Sequence, residues 1–142
     1  MKKILIATVA AIGTALAGGA AIAHHSFAAE FDANNRVELS GIVTKVEWTN
    51  PHVWFYINVK DPETGEVANW GAEMGPLHLL QRQGWRRDTL ALGSSVTVNG
   101  FMARNGSNRV NARSVTLAAT GDAPGVELDA GSSQLEENNA PD

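Results

Sequence analysis

In HVWFYINVKD, residues 52–61, the side chains alternate without a break: Val53, Phe55, Ile57 and Val59 fall on one side of an extended chain, Trp54, Tyr56, Asn58 and Lys60 on the other. A period of two over this length is incompatible with a helix and requires a strand with an aliphatic face turned to a core. The same period recurs along the chain between turn signals. VELSGIVTKVEW, 37–48, holds Val37 and Leu39 in one phase and Ile42, Thr44, Val46 and Trp48 in the other, which predicts a bulge at Gly41 and a strongly bent strand. Thr49-Asn50-Pro51 predicts a turn, and Asp61-Pro62-Glu63-Thr64-Gly65 a hairpin loop. VANWGAEM, 67–74, puts Ala68, Trp70, Ala72 and Met74 in phase, and VTVNGFMAR, 96–104, puts Val96, Val98, Gly100 and Met102 inward. A turn in RNGSN precedes a last strand over 109–117. Only between Pro76 and Gly84 does the period change, to a helix of about two turns carrying Leu77 and Leu80 on one face.

Three strands, a short helix and two strands is the order of a mainly β, five-stranded OB-like Greek-key barrel with its helix between strands three and four. A β-sandwich fragment competes, but it leaves the single helix unexplained. The barrel is assigned to residues 24–120. Ahead of it, Lys2 and Lys3 precede an apolar stretch from Ile4 to Leu16, and Ala21-Ile22-Ala23 offers small residues where a signal peptidase cuts. Residues 1–23 therefore read as a Sec-type secretory signal peptide and the mature chain as a periplasmic or secreted protein starting at His24. The stretch is short of the roughly 20 strongly apolar residues of a membrane span, so no integral membrane segment is expected after cleavage. The chain has no cysteine, which removes disulfides, thiolate metal sites and a lipoprotein anchor. Residues 24–120 carry nine basic and nine acidic residues, whereas 121–142 carry six acids and no base. That last segment reads as an acidic disordered tail. A near-neutral body with an acidic tail argues against nucleic acid as a partner, because such binding draws on Lys and Arg neutralising phosphates.

AHHSFAAEFD, GIVTKVEWTNPHVWFYINV, the strand with Trp70, Gly84-Trp85 and Gly93-Ser94-Ser95-Val96-Thr97-Val98 together resemble an uncharacterised family of small exported bacterial proteins, a domain of unknown function. The resemblance spans most of residues 23–118. It implies a periplasmic location and a shared set of positions, and no activity.

Two candidate sites follow from the residues. Trp54 and Tyr56 occupy the outward phase of strand two, the strand whose exposed face OB barrels use for stacking ligands, so a sugar, a peptide, another small ligand or an envelope protein is the expected partner. The competing expectation is that the helix, or Phe27 and Phe31, covers these rings. The sharper alternative is a Cu(II) site. A terminal His24 offers its α-amine and imidazole as a chelate, His25 can wrap the ion through the intervening amide, and His52, at the turn before strand two, is the expected third ligand. His78 falls on the polar side of the helix. No catalytic constellation is found: Ser26 beside His25 is only a sequence neighbour, and Glu30, Asp32, Glu38, Glu47 and Glu73 are expected on wet faces. Arg82, Arg86 and Arg87 read as a solvated cluster at the helix end, and Trp48, Trp70 and Trp85 as packing residues. The expected function is that of a non-enzymatic binding or envelope accessory protein.

Overall fold

The computed structural model describes residues 27–131. The expected signal segment, His24, His25, Ser26 and residues 132–142 lie outside the described residues. A helical turn over residues 27–30 leads into β1 (Phe31–Glu47), followed by β2 (Trp54–Lys60), β3 (Val67–Glu73), the helix α1 (Leu77–Arg82), β4 (Ser95–Ala103), β5 (Arg109–Leu117) and β6 (Val126–Asp129). The protein is mainly β. All six strands join one sheet in the order β3-β2-β1-β4-β5-β6, with antiparallel neighbours throughout. An additional parallel pairing sets Gly71, Ala72 and Glu73 of β3 against Arg109, Val110 and Asn111 of β5, so that the pairings run in a ring from β1 through β2, β3, β5 and β4 back to β1.

The core lies inside this ring. Val53, Phe55 and Ile57 are fully buried, as the alternation of β2 demands, and meet Ala72, Met74, Val96, Val98, Val110, Ala112 and Val115 from the other strands. Burying an aliphatic or aromatic side chain of this kind contributes roughly 1.5–3 kcal/mol, which makes it the main source of stability in a chain without disulfides. Leu80 closes the core from α1. Pro76 flanks that helix, and the Asn50 side chain accepts a hydrogen bond from the Leu77 N–H at 3.3 Å, which satisfies one of the free amides of the first turn. The Thr49-Asn50-Pro51 turn, whose Asn50–Pro51 peptide is cis, thus fastens the helix to the sheet.

Three expectations are corrected. The bulge in β1 falls between Val43 and Lys45, not at Gly41. A single inward phase runs through Val37, Leu39 and Val43 and resumes at Val46 and Trp48, while Ile42 is 43% exposed. Gly41 serves a close approach instead: a Cβ there would stand 2.5 Å from the Asn58 carbonyl oxygen of the neighbouring strand. In β4, Met102 is only partly buried, and Phe101 and Ala103, on the opposite phase, are buried. They are covered because Phe27 and Phe31 pack on them, forming a second, smaller apolar cluster on the outside of the ring.

The third correction concerns the segment after Thr120, expected to be disordered as far as Asp142. Residues 126–129 form β6, which pairs with Ser114–Leu117 of β5. β6 takes the length of the β5 edge that the short pairing with β3 leaves open. Beyond it Ala130 is fully buried, its carbonyl accepts the Gly75 N–H at 2.8 Å, and its N–H donates to the Arg113 carbonyl at 2.8 Å. The buried Trp85 donates its indole N–H to the Asp129 carbonyl at 2.6 Å, and Gln83 donates to the Asp129 carboxylate at 3.0 Å. Composition missed this because two apolar residues and a row of backbone amides suffice when the partner edge is already ordered. Deleting residues 121–142 should lower stability by roughly 2–4 kcal/mol, since it strips the partners of the Trp85 and Gly75 donors. Denaturant unfolding measures the loss, and a red-shifted tryptophan emission should accompany it; an unchanged midpoint would show that β6 is dispensable.

Candidate functional site

The register places Trp54 opposite both Glu47 of β1 and Glu73 of β3, and Tyr56 opposite Lys45 and Gly71. Side chains directly opposite one another share a face. The closing β3–β5 pairing extends this face, setting Arg109 beside Gly71 and Asn111 beside Glu73, and Asn111 in turn faces Phe101. The outside of the ring therefore carries a continuous band of chemistry, and Trp54 and Tyr56 lie in it, both half-buried.

A groove of about 460 Å³ opens on this band, lined by Glu47, Trp54, Tyr56, Asn69, Gly71, Asn108 and Arg109. Its floor depends on the missing side chain of Gly71: a Cβ there would lie 3.3 Å from a Tyr56 ring carbon and 3.5 Å from one of Trp54. Arg109 sets its guanidinium 4.8 Å from the centre of the Trp54 ring, and Lys45 its ammonium 5.2 Å from that of Tyr56, both within cation–π range. The Tyr56 hydroxyl donates to one Glu47 oxygen at 3.2 Å, and the Lys45 ammonium donates to the other at 2.5 Å. Asn69 donates from its amide nitrogen to the Asn58 side chain at 2.9 Å. Neither α1 nor the N-terminal turn lines the groove, while Trp54 packs in part against the cluster of Phe31, Phe101 and Ala103 that Phe27 also joins.

These contacts polarise the groove. The hydrogen bond from Lys45, with a lesser one from Tyr56, holds the Glu47 carboxyl below its ordinary range against the opposing effect of burial. The same carboxylate raises Lys45. Burial, reinforced by the bond to Glu47, raises the Tyr56 phenol. The groove thus presents a fixed carboxylate, a guanidinium, two aromatic rings and two amides in one concavity.

Of the residues expected to bind metal, only His52 falls within the described part of the chain. Its Nδ1–H donates to the Glu73 carboxylate in a short contact. Glu73 is nearly buried, with its side chain 11% exposed against 37% for His52. Among the described residues no group of three or more His, Asp or Glu side chains is close enough to hold a metal ion. His78 is exposed on α1, as are Arg82, Arg86 and Arg87 near its end. Glu73, expected on a wet face, is instead buried and hydrogen-bonded to the His52 imidazole. Reading by sequence found the two rings and missed Asn69, Gly71, Asn108 and Arg109, which join them only through strand pairing. Arg109, directly after the RNGSN turn, carried no local signal.

The fold and this face define a small, mainly β protein with an aromatic and amide-lined groove outside a ring of strands. Among the described residues no helix is long and apolar enough to cross a membrane. The chain belongs to a family of unknown function, DUF6152, whose model matches residues 13–112. No curated protein and no solved structure matches it. The family match ends within β5, so β6 lies beyond it.

The neutral phenol of Tyr56 is favoured by the fold. Its contribution to stability is complete below the ordinary value of 10.0 and is lost as pH rises through the higher folded-state value. Tyr56 is the only tyrosine in the chain, so phenolate absorbance reports it alone. The titration midpoint should lie above 10.0, and Glu47→Gln should bring it down part of the way, because burial remains. A midpoint that Glu47→Gln leaves in place would show that the phenol does not sense this carboxylate.

Proposed function

We propose that this is an exported, periplasmic, non-enzymatic binding protein built on an OB-like Greek-key barrel, and that its groove holds a sugar ring. The ring order β1-β2-β3-β5-β4-β1, with a helix between β3 and β4, supports the OB reading. OB barrels take oligosaccharides or oligonucleotides on the face of strands two and three, between the loops joining strands one to two and four to five. The observation that carries the proposal is that the groove occupies this place: Trp54 and Tyr56 come from β2, Asn69 and Gly71 from β3, Asn108 and Arg109 from the β4–β5 turn and start of β5, and Glu47 from the end of β1.

The chemistry favours the sugar. Rings offer a flat apolar surface to the C–H face of a pyranose, while carboxylate, amide and guanidinium groups at its rim can exchange hydrogen bonds with ring hydroxyls. Oligonucleotide binding needs a basic track along the groove, and here Glu47 and Glu30 oppose Lys45 and Arg109 at close range. Export rests on the charged, apolar and small-residue order of residues 1–23.

Neutral oligosaccharides titrated into isotope-labelled protein should shift the amide and side-chain resonances of Trp54, Tyr56, Asn69, Asn108 and Arg109. Gly71→Val, which fills the floor between the rings, should abolish those shifts in a folded protein. Trp54→Ala should weaken binding at least tenfold and cost about 1–2 kcal/mol of stability, less than the roughly 3–5 of a fully buried aromatic. No shift with any sugar, or equal shifts in Gly71→Val, would overturn the assignment.

A further inference from the structure

Ile42 is out of place for an apolar side chain. Of the large apolar residues left exposed among the described residues, Val67 and Val126 open β3 and β6 and Leu92 lies in a loop, whereas Ile42 stands inside the sheet, in β1 between β2 and β4. A single exposed apolar side chain is ordinary on a protein surface. This one borders a hollow of about 300 Å³ on the outside of the ring, and the side chains around it, Ser40, Ser95, Thr97, Thr116 and Ala118, are all short and uncharged. Strand pairing builds the hollow: Ser40 stands opposite Thr97, Thr97 opposite Thr116, and Ile42 opposite Ser95, so their side chains share one face. The Ser40 and Thr97 hydroxyls are bonded to each other at 2.9 Å. A hydroxyl has one donor and two acceptor sites, so such a pair retains both kinds for a third partner.

The hollow is joined to the groove of Trp54 and Tyr56. Asn69 lines that groove and stands opposite Asn58 of β2; Asn58 stands opposite Ile42 of β1, and Ile42 opposite Ser95 of β4. One row of outward side chains thus crosses four strands from the first concavity to the second, a distance of three strand intervals, or roughly 14 Å along the sheet. The step between them is made of amide and hydroxyl groups. The Asn69 amide nitrogen donates to the Asn58 side-chain oxygen at 2.9 Å and to the Thr44 hydroxyl at 3.2 Å, which fixes the two carboxamides relative to each other.

We propose that the hollow is a second sugar subsite, and that the ligand is a neutral oligosaccharide laid across β3, β2, β1 and β4 with one end in the Trp54–Tyr56 groove and the other against Ile42. The proposal rests on the sugar reading of that groove. A single ring cannot reach both concavities, whereas a chain of several rings can. At the far end, hydroxyls of Ser40, Thr97 and Thr116 exchange hydrogen bonds with those of the sugar, and Ile42 and Ala118 meet its C–H groups. The uncharged lining offers no counter-charge to a uronate, a sulfate or an amine, so it selects a neutral chain. Linking two weak sites in one ligand makes the second contact intramolecular, and affinity then rises with chain length.

The test titrates isotope-labelled protein with disaccharides and hexasaccharides of the cellulose and amylose series. A disaccharide should shift resonances of the first groove. A hexasaccharide of the right linkage should also shift Ser95, Thr97 and Thr116 and bind at least tenfold tighter. Ser95→Leu, which fills the hollow, should bring the hexasaccharide back to the affinity of the disaccharide, and Ile42→Ser should weaken the hexasaccharide at least threefold. Both variants should hold the disaccharide as the parent does, which also shows that they are folded. A longer chain gains some affinity merely by sliding in the first groove, and that gain would survive Ser95→Leu. Hexasaccharides that bind no tighter than disaccharides, or a tightening that Ser95→Leu leaves intact, would overturn the second subsite while the sugar reading of the first groove stands. Absence of shifts in both concavities with every sugar would overturn that reading and the subsite with it.

Discussion

Three residues of β3 laid parallel to three of β5 hold the rest of this structure in place. Every other neighbour in the sheet is antiparallel and could form in an open, curled sheet; this pairing closes the ring and encloses Phe55, Trp85 and their neighbours. It is short because β3 ends at Glu73 and the chain must then turn into α1 to cover the open end with Leu80. The bend that lets β1 pair with both β2 and β4 comes from the irregularity between Val43 and Lys45, where Thr44 turns its hydroxyl to the Tyr56 carbonyl at 3.2 Å.

The closure also makes the face outside the ring. Arg109 begins β5 and reaches Trp54 only because β5 lies against β3; Asn111 reaches Glu73 for the same reason. Two kinds of chemistry then share one surface without competing for the same atoms. Toward the β1 end, Lys45, Glu47 and Tyr56 form a charged and phenolic rim, and toward the start of β2 the His52–Glu73 pair sits near the cluster that anchors the N-terminal turn.

Periodicity made much of this legible. β2 announces its core face because both of its phases are unambiguous, and the helix announces itself by Leu77 and Leu80 between Pro76 and Gly84. Where one residue admits two explanations, the sequence misleads: Gly41 looks like a bulge and is a close approach, and Ile42 looks inward because it is apolar. Phe101 is buried on the side that alternation assigns to solvent, since its cover comes from residues 27 and 31, some seventy positions away. The groove was half visible for the same reason. Its rings lie in one strand, whereas its polar groups come from β1, β3 and the start of β5 with the turn before it, and are brought there by pairings that no local pattern encodes.

The order in which these contacts can form has a consequence for how the molecule is made. Residues 126–131 are the last of the described chain, yet they hold the Trp85 indole, the Gly75 amide and the free length of β5. A chain emerging amino end first from a ribosome therefore lacks these contacts until residues 126–131 have been delivered.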